Sequence, residues 1–201
     1  MMRRLLITTS REPSRRTRSF VKDLVLAVPH AVKVNRGKAT YSDLAVRATS
    51  LGAYGVLIVL ERKGNPSALL YAEPEGLHLR KLFLLKVSGV SLLREVPGSQ
   101  SPHGLWELVL VPRTVPKGLP ELVSGYLAES LKPRLVERPE GRCVELKVLG
   151  SGDGALVSFI CTTTDRECGP RFTVTKVVDY RSTAPQQLNA GGRAPKSYGN
   201  A

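Results

Sequence analysis

The chain has 201 residues, 42% of them apolar, and a formal net charge of +13 at neutral pH. That supports a core in one large or two small domains, and no run approaches the ~20 apolar residues of a bilayer-spanning helix. The apolar stretch behind the basic start breaks after Leu5-Leu-Ile7, short of the roughly 7–15 residues of a secretory core. We therefore expect a soluble protein that stays where it is made, without a membrane partner. Cys143, Cys161 and Cys168 show neither the close pairs of a zinc site nor an even-numbered framework. The expectation is three reduced thiols, with Cys161 buried in a strand.

In chain order, Arg4–Thr9 reads as a strand and Pro13–Val28 as a helix, with Pro13 in its first turn and Ser10 near enough to cap it. Phe20, Leu24, Ala27 and Val28 fall on one side of that helix, and Arg15, Arg18 and Lys22 on the other. Ala31–Val34 reads as a short strand, and Tyr41–Leu51 as a helix stopped by Gly52. Gly55–Glu61 is a continuous apolar run, as in a strand covered on both faces. Arg62–Ser67 has turn chemistry, Ala68–Ala72 returns as a hairpin arm, and His78–Val87 is a further strand.

Pro97–Gly104 is the best internal boundary. Beyond it Leu105–Val111 reads as a strand and Pro120–Leu131 as a helix, followed by strands Cys143–Leu149, Ala155–Thr162 and Phe172–Asp179. The pattern is α/β (α+β), with halves at about 1–97 and 104–181, each a mixed sheet with packed helices. Residues 182–201 carry one Leu and one Tyr as their only large apolar side chains and read as a flexible tail.

Charge is concentrated at the start. Residues 1–38 hold ten Lys or Arg against Glu12 and Asp23, a net +8, and the other 163 residues hold only +5. A helix N-terminus favours phosphate, Ser10 and Ser14 supply hydroxyls, and Arg11, Arg15, Arg16, Arg18 and Lys22 supply charge. Asn35, Arg36 and Lys38 add a second basic turn around Gly37. Arg62 and Lys63 make a basic hairpin tip, and Arg171 and Lys176 extend the basic surface. Each of these groups could also be an ordinary solvated charge, and it is their density near the N-terminus that points to a polyanion.

Other chemistry finds little support. Gly150-Ser-Gly-Asp-Gly154 lacks the Lys-Ser/Thr ending of a phosphate loop and precedes a strand, which makes it a hairpin turn. His30, His78 and His103 are scattered, and no nucleophile elbow or paired acids stand out. No enzyme, cofactor or metal is expected. With eleven aromatics, most at core-like positions, base stacking is less suited than phosphate contact.

Several segments together resemble the Brix domain of ribosome-biogenesis factors. They are Ile7-Thr-Thr-Ser-Arg-Glu-Pro-Ser14, Phe20-x-Lys22-x-Leu24, Asn35-Arg-Gly37, Leu57-Ile-Val-Leu-Glu-Arg-Lys-Gly-Asn-Pro66 and Gly169-Pro-Arg-Phe172, in family order across residues 5–177. The branch most resembled belongs, in eukaryotes, to the small-subunit processome. The resemblance implies a non-catalytic RNA-binding factor acting on rRNA or its precursor, with assembly proteins as partners. It also implies two halves similar to the anticodon-binding domain of class II aminoacyl-tRNA synthetases. Ala72-Glu-Pro-Glu-Gly-Leu77 departs from the family's Leu-Pro-x-Gly-Pro-Thr. The absence of long charged extensions resembles archaeal members, which implies a cytoplasmic location (a eukaryotic one would be nucleolar) and a monomer. A protein-interaction scaffold and a tRNA anticodon-binding module are the competing readings.

Overall fold

The computed structural model describes residues 4–104 and 107–181. Leu105 and Trp106, the first residues of one expected strand, and the expected tail 182–201 lie outside the described residues.

The chain begins with β1 (Arg4–Thr9), α1 (Arg15–Ala27), β2 (Ala31–Lys33), α2 (Tyr41–Ser50), β3 (Ala53–Arg62), β4 (Asn65–Glu75) and β5 (His78–Ser91). It continues with β6 (Glu107–Leu110), α3 (Leu119–Leu131), β7 (Arg134–Leu135), β8 (Cys143–Ser151), β9 (Gly154–Cys161), β10 (Arg166–Glu167) and β11 (Arg171–Asp179). These strands join one mixed sheet ordered β2-β1-β3-β4-β5-β11-β9-β8-β6-β7, with β10 paired to β9. Each half repeats one plan. Its first strand lies parallel to its second and third, and antiparallel strands follow. The halves meet where β5 pairs antiparallel with β11. α3 follows β6 as α1 follows β1, but residues 136–142, between β7 and β8, contain no counterpart of α2.

α1 and α3 cover one face. Phe20, Leu24, Val123 and Leu127 pack there with Phe159 and Phe172, and the Phe20 and Phe172 rings meet edge to face at 5.6 Å. On the other face Leu44 and Ala48 of α2 pack on Leu6, Val56, Ile58 and Leu70. The apolar side expected of α1 is buried, with Phe20, Leu24, Ala27 and Val28 at most 1% exposed. Gly169 has a packing reason: a Cβ there would lie 2.7 Å from Ala27 and 2.8 Å from Phe159.

Three expectations need correction. α1 begins at Arg15, capped by Ser14, whose hydroxyl accepts from the Thr17 N–H; Ser10 is not the cap and Pro13 precedes the helix. A competing Ser nearer the first helical N–H groups won, because a cap must reach the second or third residue of the helix. The hairpin turn after β3 is only Lys63-Gly64, with φ of 51° and 79°, the left-handed pair suited to a two-residue loop. Asn65 and Pro66 already belong to β4, opposite Arg62 and Glu61, and the register shifts between Leu60 and Glu61, which leaves Ser67 of β4 unpaired.

The thiols are also not all free. Cys161 and Cys168 form a disulfide with a Cα–Cα distance of 5.7 Å, which leaves Cys143 as the free cysteine, buried. The unanticipated strand β10 folds back on β9, and Cys168 N–H donates to the Phe159 carbonyl. A tight return after four turn residues brings together two cysteines that show no spacing signal in the sequence.

Candidate nucleic-acid interface

β2, β1 and β3 run in the same direction, so their C-terminal ends share one edge of the sheet. From β1 the chain continues to α1 on one face; from β2 it continues to α2 on the other. Neighbouring strands whose connections diverge in this way leave a crevice beyond their ends, where open α/β sheets bind ligands. Here the crevice is a cleft of about 610 Å³ lined by Thr9, Arg11, Glu12, Arg18, Lys33, Asn35, Arg36, Gly37 and Lys38, among others. Five cations against one acid give it a strongly positive field.

Arg11, Arg18 and Lys38 are exposed and form no ion pairs among the described residues, so they are available to an anion. Asn35 is exposed beside them, and its carbonyl accepts from Arg47 at 3.4 Å. Arg36 is 7% exposed and structural in part. Its Nε donates to the Ala39 carbonyl at 3.1 Å, Nη1 donates to the Thr9 carbonyl at 3.4 Å, and the guanidinium lies 4.8 Å over the Tyr41 ring. It thus ties the β2–α2 loop to the end of β1. Arg15 and Lys22 are exposed along α1 outside the cleft lining. Ser10 is half-buried, and its N–H donates to the Val59 carbonyl at 2.8 Å.

The α1 N-terminus already holds an anion. Glu61, at the end of β3, accepts from the Ser14 N–H at 2.8 Å, and the Ser14 hydroxyl donates to the Gly64 carbonyl at 2.8 Å. Burial pushes the Glu61 carboxyl up, but hydrogen bonds from Thr17 and Ser14 and the charge of Arg18 leave it below its ordinary range. A carboxylate therefore stands where a phosphate was expected, and Ser14 latches the hairpin tip onto α1. The latch brings Arg62 and Lys63, both exposed, to the same edge as Arg11 and Arg15.

Two expected cations are committed elsewhere. Arg16 grips Glu95 with both terminal nitrogens, at 2.5 and 2.8 Å, and donates to the Val90 carbonyl at 2.7 Å. Arg171 is paired with Glu167, which raises its pKa through their hydrogen bonds. Lys176 is exposed on β11, four strands away from β1. Sequence reasoning missed Lys33, Glu61 and Lys86. Lys33 ends a strand parallel to β1, a position that only the pairing reveals. Among the described residues there is no group of three or more His, Cys, Asp or Glu arranged to hold a metal, and no helix is long and apolar enough to cross a membrane.

No family model matches the chain. It is 42% identical over 89 residues to a probable Brix domain-containing ribosomal biogenesis protein of Saccharolobus solfataricus, covering 44% of this chain and 51% of that protein. A protein of the same description from Pyrobaculum aerophilum is 39% identical over 94 residues, covering 47% and 51%. The chain thus spans about half the length of these curated relatives in the match. Over its whole fold it is similar to the crystal structure of a probable ribosomal biogenesis protein from Aeropyrum pernix. That match has a TM-score of 0.74 and 30% identity, covering 87% of this chain and 97% of the other. Mil, an archaeal Imp4-like protein, shares the fold with a TM-score of 0.62 at 20% identity, covering 87% and 99%. The mixed α/β sheet is the fold of an archaeal ribosomal biogenesis protein, and this chain belongs to the Brix-domain ribosomal biogenesis family.

Proposed function

We propose that this protein binds the phosphate backbone of ribosomal RNA or its precursor and acts in rRNA processing and assembly of the small subunit. The observation that carries this reading is the cleft, where Arg11 and Arg18 from the β1–α1 segment converge with Lys33 and Lys38 from the β2–α2 segment. Arg15, Lys22, Arg62 and Lys63 flank it and extend the contact along the same edge. Arg16 and Arg171 serve as supports, and Asn35 and Arg36 shape the loop. We further infer a binding role without catalysis, in the cytoplasm, by a chain that is monomeric until it meets RNA or other assembly proteins.

The test is RNA crosslinking in the protein's own cells, with sequencing of attached fragments, for the native chain and for Arg11→Glu/Arg18→Glu/Lys38→Glu. Reads concentrated on small-subunit rRNA precursor and lost in the variant support the reading. Reads on large-subunit RNA overturn the subunit assignment, and enrichment of tRNA favours an anticodon-binding module. Reads spread in proportion to abundance, unchanged in the variant, refute specific RNA binding. In vitro, six phosphate contacts predict an affinity loss of roughly 10³ between 50 and 200 mM salt.

A further inference from the structure

The two halves share a strand plan but differ on one face. In the first half α2 packs on β3, β4 and β5 and buries Leu6, Val56, Ile58 and Leu70. In the second half no helix follows β7, and the residues on that face are of another kind. Side chains alternate across a strand, so with Val144, Leu146, Phe159, Phe172 and Val174 in the core beneath α3, the opposite face carries Glu145, Lys147, Ser158 and Thr173 together with the aliphatic Val109, Leu149, Leu156 and Ile160. Among the described residues Leu149 and Leu156 are the one aliphatic pair directly opposed there. Glu145 and Ser158 are themselves buried, at 8% and 6% exposure, and the exposed charge on this side of the sheet lies toward the seam with the first half, at Lys86 and Lys176.

Its most unusual feature lies at the seam between the halves. Lys86 of β5 and Lys176 of β11 are directly opposed in register, both exposed, and neither forms an ion pair among the described residues. Lys86 lies between Leu85 and Val87, which point into the α1 side, so the lysine pair projects from the face that α2 leaves open. Like charges directly opposite each other across an antiparallel pair work against folding. The hydroxyls of Ser88 and Thr173 form the next opposed pair on this face. The seam lies four strand spacings from β1, roughly 19 Å across the sheet.

We propose that Lys86 and Lys176 hold a second segment of RNA backbone, the phosphate supplying the counter-charge that the fold omits. Ser88 and Thr173 donate to the same backbone. The cleft and the seam then engage one RNA at two places, and the second contact forms at the high effective concentration set by the first. This rests on the RNA reading above but on different residues, so the two can fail separately.

The experiment measures anisotropy of a fluorescein-labelled RNA hairpin with single-stranded arms against three full-length proteins: native, Lys86→Ala/Lys176→Ala, and Arg11→Ala/Lys38→Ala. The lysine-pair variant is expected to lose about tenfold or more in affinity and to lower the log–log salt slope by roughly 1.4–1.8. Its melting temperature is expected to hold or rise, which separates lost contact from lost fold. Unchanged affinity in this variant, with loss in the cleft variant, overturns the seam proposal and leaves the RNA reading intact. Unchanged affinity in both overturns both. Retained RNA binding with lost binding of an oligoglutamate peptide makes the seam a dock for an acidic protein and also overturns the proposal.

Discussion

Breaking the Cys161–Cys168 bond gives the most sharply defined change in stability. The bond closes a loop with a sequence separation of 7, and both half-cystines are buried at 1% and 0% exposure. In the chain-entropy account a loop this short restrains the unfolded chain by about 2.5 kcal/mol. For a protein of this size each kcal/mol moves the melting temperature by about 2–4 °C, so reduction should lower it by roughly 5–10 °C. The effect should be local in origin, because the loop connects β9 to the inter-half segment: the Gln100 N–H donates to the Glu167 carbonyl at 3.0 Å. The assay is calorimetry of the native chain with and without a phosphine reductant, beside Cys161→Ala/Cys168→Ala and a Cys143→Ala control. Thiol titration in denaturant without reductant should find one reactive group. Three reactive thiols, or a melting temperature indifferent to reductant and to the double substitution, would refute the reasoning.

Other consequences follow from the site. Glu61→Gln removes the charge at the α1 N-terminus and should cost about 1 kcal/mol in urea unfolding. It should also tighten RNA binding, because the helix end becomes open to phosphate; weaker binding would argue that the hairpin latch matters more than the charge. Glu61, Glu95 and Glu107 all have pKa values lowered in the fold, Glu95 and Glu107 chiefly through hydrogen bonds from Arg16 and Arg134. Carboxyls depressed in this way stabilise the protein above their unfolded values near 4.5, and that contribution is lost as pH falls through the folded values. An acid titration of stability should therefore descend below about pH 4.5, and Arg16→Ala should blunt the descent. Arg16→Ala itself should cost about 1 kcal/mol or less, its ion pair being about one-third exposed, and leave RNA affinity unchanged; a tenfold loss of affinity would place Arg16 at the interface. Arg36→Ala should cost about 1–3 kcal/mol, since the buried guanidinium bridges the Thr9 and Ala39 carbonyls, and Arg36→Lys should not restore it.

Local patterning made most elements legible. The apolar run of β3, the amphipathic side of α1 and the proline-led α3 follow from periods that depend only on near neighbours. Strands β7 and β10, two residues each, carry no such period and exist only because β6 and β9 offer them partners. The N-terminal concentration of charge was also readable, as was the family resemblance, since both are properties of residue type and order.

The sequence by itself determined which residues are cationic, which faces are apolar, and that the N-terminal strand, turn and helix would dominate the electrostatics. Tertiary structure alone decided which cations are available. Arg16 and Arg171 found carboxylates far away or around a turn, Arg36 was drawn into the loop it supports, and Glu61 arrived from β3 to occupy the helix end. It also brought Lys33 beside Arg11 and set Lys86 against Lys176. The physical reason is that charge is fixed residue by residue, whereas a charge's partners depend on strand register and chain crossing, which set Lys86 against Lys176, 90 positions away.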